Sequence, residues 1–378
     1  MRKKKFYIIT TVPISLIFYK GQISYLKRYF EVYIISSSGD LFNNTLNEEN
    51  INGFNVEMKR EISILNDFRS LFNLIMLFFK TKPDIIHAST PKAGLLSMIA
   101  GWIMRVPTRI YYIHGLRYEG AKGFKRKILK FFEKLSCFFA TDIYAVSYGV
   151  KETLNKDAVT TKKVNIIGEG SVNGINMEYF STTNLDIPNL KKNYNITEKN
   201  FIYGFVGRLV SNKGINELIY AFKEININYP NTKLLLVGNY EHKLDPLENN
   251  TLDIIANHPN IIHVGFQKDI RPFLKMMNVF VFPSYREGFG VSIIEALSME
   301  IPVISSDITG CNEIINSTNG ILIPAKSSIY LKKAMIDLLI NPSKYKQLKT
   351  HTRKSIINKF NQNLVWKNTL EEYKKITS

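Results

Sequence analysis

The chain has 378 residues, 45% of them hydrophobic and 22% charged, a length suited to two domains and a composition that excludes disordered, collagen-like and low-complexity classes. Two cysteines, Cys137 and Cys311, cannot build a disulfide framework, and with so few Cys and His a zinc-finger or cluster protein is also excluded. Fifty lysines and arginines against 32 acidic residues leave a net charge of +18, which calls for an anionic partner or surface.

The N-terminal stretch MRKKKFYIITTVPISLIFYKG has the outline of a secretory signal, a basic start followed by an apolar run. Pro13 interrupts that run and no small-residue cleavage site follows, so the spacing predicts a buried first strand over residues 6–11. Further strands are expected over 32–36, 85–88, 109–113, 143–146 and 164–167, each short and rich in Ile, Val or Tyr. Helices are expected between them, over 22–29, 67–80, 92–104 and 125–139, with Thr90-Pro91 as N-cap and first-turn proline of the third. The apolar stretches 68–79 and 93–104 are too short for the ~20 residues that a bilayer crossing needs. The expectation is a soluble or peripheral protein with no spanning segment.

Between Gly168 and Asn200 the sequence turns polar, and then the alternation restarts. Strands are expected over 201–206, 233–237, 261–264, 279–282 and 302–305, and helices over 215–228, 252–257, 292–299, 327–339 and 363–374. This rhythm implies parallel sheets covered on both faces. The fold class is therefore α/β, with two doubly wound Rossmann-like domains facing a cleft. We place the first at 1–180, the second at 181–360, and a terminal helical segment, 361–378, packing back toward the first. Ligands in such folds bind outside the carboxyl ends of the strands.

Chemistry concentrates in two stretches of the second half. In FVGRLVSNKG, residues 205–214, a strand ends at Gly207, and Arg208 and Lys213 follow in the loop before a helix. Two cations and a helix start at a strand end suit an anion; solvated loop charges are the plain alternative. In VFPSYREGFGVSIIEALSMEIPVISSD, residues 281–307, a loop with Glu287, Gly288, Phe289 and Gly290 leads into a helix that begins near Val291 and Ser292 and carries Glu295. Glycines let backbone N–H groups approach a ligand, and the helix start offers more of them to a phosphate. Glu295 suits two hydroxyls of a ribose, and Glu287 stands where a sugar on that phosphate would lie.

Glu287-Gly288-Phe289-Gly290 through Glu295, a Glu-x7-Glu pattern, together with Gly207-Arg208 and Lys213, resembles the retaining family-4 glycosyltransferases of GT-B fold. The resemblance covers almost the whole chain. It implies that Arg208 and Lys213 hold the donor diphosphate, that Glu295 binds the ribose and Glu287 the transferred sugar. It implies that Gly207, Gly288, Phe289, Gly290, Val291 and Ser292 line the nucleotide-sugar, several through their amides. His114, in the run Tyr-Ile-His-Gly, is similar to the family's active-site histidine. Residues 87–96, 112–117 and 170–175 resemble a bacterial subset that extends lipid-diphosphate-linked saccharides for capsule, O-antigen or glycoprotein assembly. One departure is the first loop, Thr11-Val12-Pro13-Ile14-Ser15, which lacks the Gly-Gly pair of many members; Gly21, after Lys20, is the nearby glycine.

The resemblance implies transfer from a UDP-sugar, with an N-acetylated amino sugar favoured, to a polyprenyl-diphosphate-linked saccharide, with retention. GDP-mannose or UDP-glucose as donor, and a soluble acceptor, are the alternatives. No Asp-x-Asp pair is present, so no metal and no other cofactor is expected, the cations and helix dipole taking up the charge on the leaving diphosphate. Lys125, Arg126 and Lys127, followed by Phe131 and Phe132, suggest an amphipathic helix on an anionic membrane surface, to which Arg2, Lys3, Lys4 and Lys5 would add. The expected location is the cytoplasm, at the inner face of the cell membrane. A nucleic-acid-binding protein would also be basic, but no recognition motif is present and the Gly-Glu loop has no role there. A UDP-sugar 2-epimerase shares the fold class without the Glu-x7-Glu and Lys213 arrangement. A non-catalytic sugar-nucleotide-binding module is the remaining rival, separated by nucleotide release in the presence of acceptor.

Overall fold

Short, mostly apolar segments buried on both faces form the central strands, as parallel sheets require. The computed structural model of the chain describes residues 2–61, 63–183, 185, 187–241 and 245–377. Two compact units result, one comprising Met1–Gly174 with Gln362–Ser378 and the other Ile175–Asn361.

Among the described residues the first unit holds a seven-stranded parallel sheet. Its strands are β1 (Lys5–Ile9), β2 (Glu31–Ser36), β3 (Asn52–Asn55), β4 (Ile85–Ala88), β5 (Thr108–Ile113), β6 (Asp142–Ala145) and β7 (Val164–Asn165). Their order is β3-β2-β1-β4-β5-β6-β7, so the direction of winding reverses between β1 and β4. The second unit holds β8 (Phe201–Val206), β9 (Thr232–Val237), β10 (Ile261–His263), β11 (Val279–Phe282), β12 (Val303–Ser306) and β13 (Gly320–Ile323). Here the order is β10-β9-β8-β11-β12-β13, and the reversal falls between β8 and β11. The loops after β8 and β11 are the two stretches that the sequence singles out.

The division lies at Gly174/Ile175 rather than 180/181. The Ile175 N–H donates to the Phe360 carbonyl at 2.7 Å, and the Arg353 guanidinium donates to the carbonyls of Met177 and Phe180 at 2.6 and 2.7 Å. Those bonds tie residues 175–180 to the second unit. Asn184 and Asp186, within the polar joint, lie outside the described residues. The helix Gln362–Thr377 belongs to the first unit: Trp366 donates to Asn173 at 2.6 Å, and the Tyr373 hydroxyl meets His87 Nε2 at 2.9 Å.

Thr90 is the N-cap residue of the helix Pro91–Ile103, but its hydroxyl makes no cap. It accepts instead from the Thr11 N–H at 2.9 Å and lies 2.7 Å from the Thr11 hydroxyl, fastening the loop after β1 to the end of β4. Gly21, at φ 77°, donates its N–H to Glu49 at 2.6 Å, and an added Cβ would stand 2.8 Å from the Trp366 ring. Its role is a tight passage beneath the terminal helix. Cys137 and Cys311 are buried free thiols.

No described helix is long and apolar enough to cross a membrane. The helix Gly123–Phe139 nevertheless turns Phe124, Phe131 and Phe138 outward, 77%, 54% and 66% exposed, with exposed Lys127 and Lys134 between them. This stripe differs from the one read in the sequence. Arg126 and Lys130 each pair with Asp157 at 3.4 Å, and Arg126 also lies over the Tyr118 ring. Lys3 and Lys5 donate to the carbonyls of Lys27 and Thr81, and Arg2 pairs with Asp84, so three of the N-terminal cations are engaged at the opening edge of the sheet.

Candidate active site

The loops after β8 and β11 are bound to each other. The Tyr285 N–H donates to the Asn212 carbonyl at 2.8 Å, and the Ser284 hydroxyl to the same carbonyl at 3.2 Å. Gly214 makes this approach possible: it sits at φ 70°, and a Cβ there would stand 2.0 Å from the Pro283 carbonyl oxygen. Lys213, the residue before, therefore reaches Glu287, and its ammonium donates to Oε1 of that carboxylate. The same ammonium lies 5.0 Å from the centre of the Phe282 ring, a cation–π contact. Glu287 Oε1 also accepts from the Ser284 hydroxyl at 2.7 Å, while Oε2 has no partner among the described residues. Arg208 is more exposed, and its guanidinium pairs with Glu241. The two cations are thus brought to the same strand ends, each held by a carboxylate.

The helix Val291–Ser298 begins behind this cluster with no side-chain cap and no acidic residue in its first turn. Not every amide expected to face a ligand is open. The Gly290 N–H donates to the Gly310 carbonyl at 2.9 Å, and the Val291 N–H to the Phe289 carbonyl at 3.0 Å. The Phe289 ring is buried, 5.2 Å from that of Phe360, so only its backbone faces the loop surface. Among the described residues the N–H groups of Gly288, Phe289 and Ser292 remain without a protein acceptor, which leaves a set of backbone donors at the positive end of the helix. Glu295, one turn in, has no hydrogen-bond partner among the described residues, and burial alone pushes its carboxyl up to about 8. Gly207 follows β8 at φ 151°, its N–H bonded to the Val237 carbonyl at 2.9 Å.

His114 lies in the first unit, directly after β5. Rings of Phe18, Tyr19 and Tyr112 surround it, and the Tyr19 hydroxyl is 3.5 Å from its Nε2. Burial pushes its pKa down to about 3, so the imidazole is neutral near pH 7 and offers hydrogen bonds rather than charge.

Comparison with known proteins bears on this arrangement. The family described as "Glycosyltransferase Family 4" matches residues 24–171, and "Glycosyl transferases group 1" matches residues 186–355. The capsular polysaccharide biosynthesis glycosyltransferase CapM of Staphylococcus aureus is 37% identical over 370 residues, 97% of this chain and 96% of CapM. The chain belongs to the family-4 glycosyltransferases. An Escherichia coli relative, UDP-Gal:alpha-D-GlcNAc-diphosphoundecaprenol alpha-1,3-galactosyltransferase, is 31% identical over 70% of this chain and 68% of its own. The crystal structure of Anabaena HepE in complex with UDP matches with a TM-score of 0.80 at 18% identity, covering 98% of this chain and 100% of HepE. Both units thus have the GT-B glycosyltransferase fold.

In each unit, taken by itself, neighbours of the candidate residues carry no sequence signal of their own. Ser284 and Glu241 read as ordinary loop residues, yet one holds Glu287 and the other Arg208. Cys311 lies close enough to Glu287 for that carboxylate to help burial push its thiol up to about 12. Tyr19 sits in an apolar run that reads as core, and it reaches His114. Each becomes visible only when distant loops meet.

Proposed function

We propose that this enzyme moves an N-acetylated amino sugar, with retention of configuration, from a UDP-sugar to an undecaprenyl-diphosphate-linked saccharide in capsule or related surface-polysaccharide assembly. The observation that carries the reading is the cluster of Lys213, Glu287 and Ser284 beside three open amides, at the point where the strand order of the second sheet reverses. The names of CapM and of the E. coli galactosyltransferase support the pathway class and the lipid-diphosphate acceptor. UDP in the HepE complex supports the nucleotide.

The proposed chemistry follows from charge. Breaking the sugar–phosphate bond leaves an oxocarbenium-like sugar and extra negative charge on the diphosphate. Lys213 and Arg208 meet that charge, with the amides of Gly288, Phe289 and Ser292 at the helix start, so no metal and no other cofactor is invoked. Glu295 accepts from the ribose hydroxyls. Glu287 keeps Oε2 for a hydroxyl of the transferred sugar and is not a nucleophile; the departing phosphate takes the acceptor's proton as the acceptor attacks the same face. His114, neutral, serves as a hydrogen-bonding group. The Phe–Lys stripe of the helix Gly123–Phe139 favours docking on an anionic membrane, at the cytoplasmic face where a lipid-linked acceptor resides.

A donor screen against purified protein, with a short-chain lipid-diphosphate sugar as acceptor and a chelator arm, tests the assignment. Lys213→Ala and Glu287→Ala are expected to lose at least tenfold in transfer, since a charge-assisted contact contributes ~1.5–3 kcal/mol, while circular dichroism stays unchanged. Full activity in both, or transfer abolished by the chelator, would overturn the reading; the anomeric configuration of the product by NMR tests retention.

A further inference from the structure

The first unit contains an apolar cavity of about 270 Å³ between the helices Ile64–Thr81, Pro91–Ile103 and Gly123–Phe139. Leu71, Leu95, Ile99 and Phe132 line its interior. Its two acidic lining residues are satisfied: Asp67 accepts from Lys92 at 2.6 Å, and Glu133 from the Tyr111 hydroxyl at 2.7 Å. One end is cationic. There Lys92 donates to the Glu61 carbonyl and Arg117 to the Arg60 carbonyl, which gathers Arg60, Lys92 and Arg117 around one turn of chain. The Arg60 and Arg117 side chains are exposed, and among the described residues the Arg60 guanidinium has no partner. From Lys92 to Ile99 the cavity follows the helix for roughly 10 Å.

An apolar slot with a cationic end fits an amphiphile with an anionic head. The place of that end decides which one. Lys92 follows β4 and Arg117 follows β5, three residues after His114, so the cationic end lies at the carboxyl edge of the sheet on which His114 stands. Leu65, Phe72 and Phe79 extend an exposed apolar stripe along the helix Ile64–Thr81 from Phe68, which itself lines the slot. A hydrocarbon chain longer than the slot would leave it along apolar surface.

We propose that this cavity takes the head-proximal part of the acceptor's polyprenyl chain, with the lipid diphosphate held between Arg60 and Arg117. The inference rests on the lipid-linked acceptor reading above and adds a site to it.

Farnesyl diphosphate is the probe, titrated calorimetrically below its micelle concentration into the full chain saturated with UDP, so that the donor diphosphate site is filled. It is expected to bind at least about tenfold more tightly than inorganic diphosphate or dimethylallyl diphosphate, because the longer chain is buried. Ile99→Trp, which fills the slot, should erase the chain-length gain. Arg60→Glu with Arg117→Glu, both exposed and checked for an unchanged melting temperature, should weaken farnesyl diphosphate by roughly tenfold or more and farnesol little. Equal affinity for the three diphosphates overturns the proposal, as does a chain-length preference that the double charge reversal leaves intact or binding of anionic vesicles without binding of the probe. Chain-dependent binding in a protein that transfers no sugar would sustain this site and sink the transferase assignment; transfer with no dependence on acceptor chain length would do the reverse.

Discussion

The ammonium of Lys213 sits between a carboxylate and an aromatic face, and the residue after it makes both contacts possible. Gly214→Ala forces a Cβ to 2.0 Å from the Pro283 carbonyl, in a left-handed conformation that already disfavours a side chain. We expect a loss of more than ~2 kcal/mol in denaturant unfolding and weaker UDP binding by calorimetry, because the two loops must part. A wild-type midpoint with wild-type UDP affinity would show that the loops do not depend on this contact. Glu133 makes a prediction of another kind. Burial pushes its carboxyl from 4.5 up to about 7, so the folded chain holds a proton that the unfolded chain releases between those values. Its contribution to stability is therefore present below pH 4.5 and is lost as pH rises to about 7, a change of up to ~3 kcal/mol. Glu133→Gln keeps an acceptor for the Tyr111 hydroxyl; urea melts across pH 5–8 should show that slope flattened. His87, pushed down to about 3 mainly by burial, acts in the opposite sense, its contribution being lost as pH falls below 6.5. The glycine and glutamate spacing made the two loops after β8 and β11 legible in the sequence. It did not reveal that the Gly290 amide is spent on the Gly310 carbonyl, a bond between segments twenty residues apart.

At the level of elements, β4, β8 and β11 stand where the apolar runs place them, since a strand buried on both faces needs an unbroken apolar segment. The helix Pro342–Phe360 was not legible. It buries Leu348, Thr352, Ile356 and Phe360, one residue per turn, and its remaining surface is charged and polar, so its periodic signal is thin. The strand Asn52–Asn55 likewise has an edge position and a sequence, NGFN, that carries no β pattern. The helix Gly123–Phe139 shows what packing adds to sequence. Its basic cluster is legible, but Arg126 and Lys130 are committed to Asp157, which leaves Lys127 and Lys134 beside the exposed phenylalanines. Replacing Phe124, Phe131 and Phe138 by Ser should lower co-sedimentation with anionic vesicles by more than tenfold, given ~1.5–3 kcal/mol for each fully buried aromatic side chain. Lys127→Glu with Lys134→Glu should make the residual binding less salt-dependent, at ~1 kcal/mol for each charge. Binding that ignores both sets would remove this helix from any membrane contact.

For the whole molecule, the order of the chain and the order of its units do not coincide. The helix Gln362–Thr377 completes a unit that the chain left at Gly174. Tyr373 packs against Phe6 with ring centres 5.4 Å apart and meets His87, while Glu372 accepts from the Tyr144 hydroxyl at 3.3 Å. Ending the chain at Asn361 should therefore uncover the aromatic flank of the first sheet. Such a protein is expected to bind a hydrophobic dye strongly and to melt at lower temperature, with the second unit's transition retained; an unchanged melting curve would mean that the helix adds nothing to stability.

That arrangement also sets a timetable. As the polypeptide leaves the ribosome, the half bearing His114 emerges first yet stays unfinished until some two hundred further residues have been made, and the unit Ile175–Asn361 can close before it. A nascent chain exposes the flank that Tyr373 will cover throughout that interval. Synthesis through the helix Gln362–Thr377 thus completes the first unit, and a chain that stops before Gln362 is expected to leave those aromatics uncovered to chaperones or proteases.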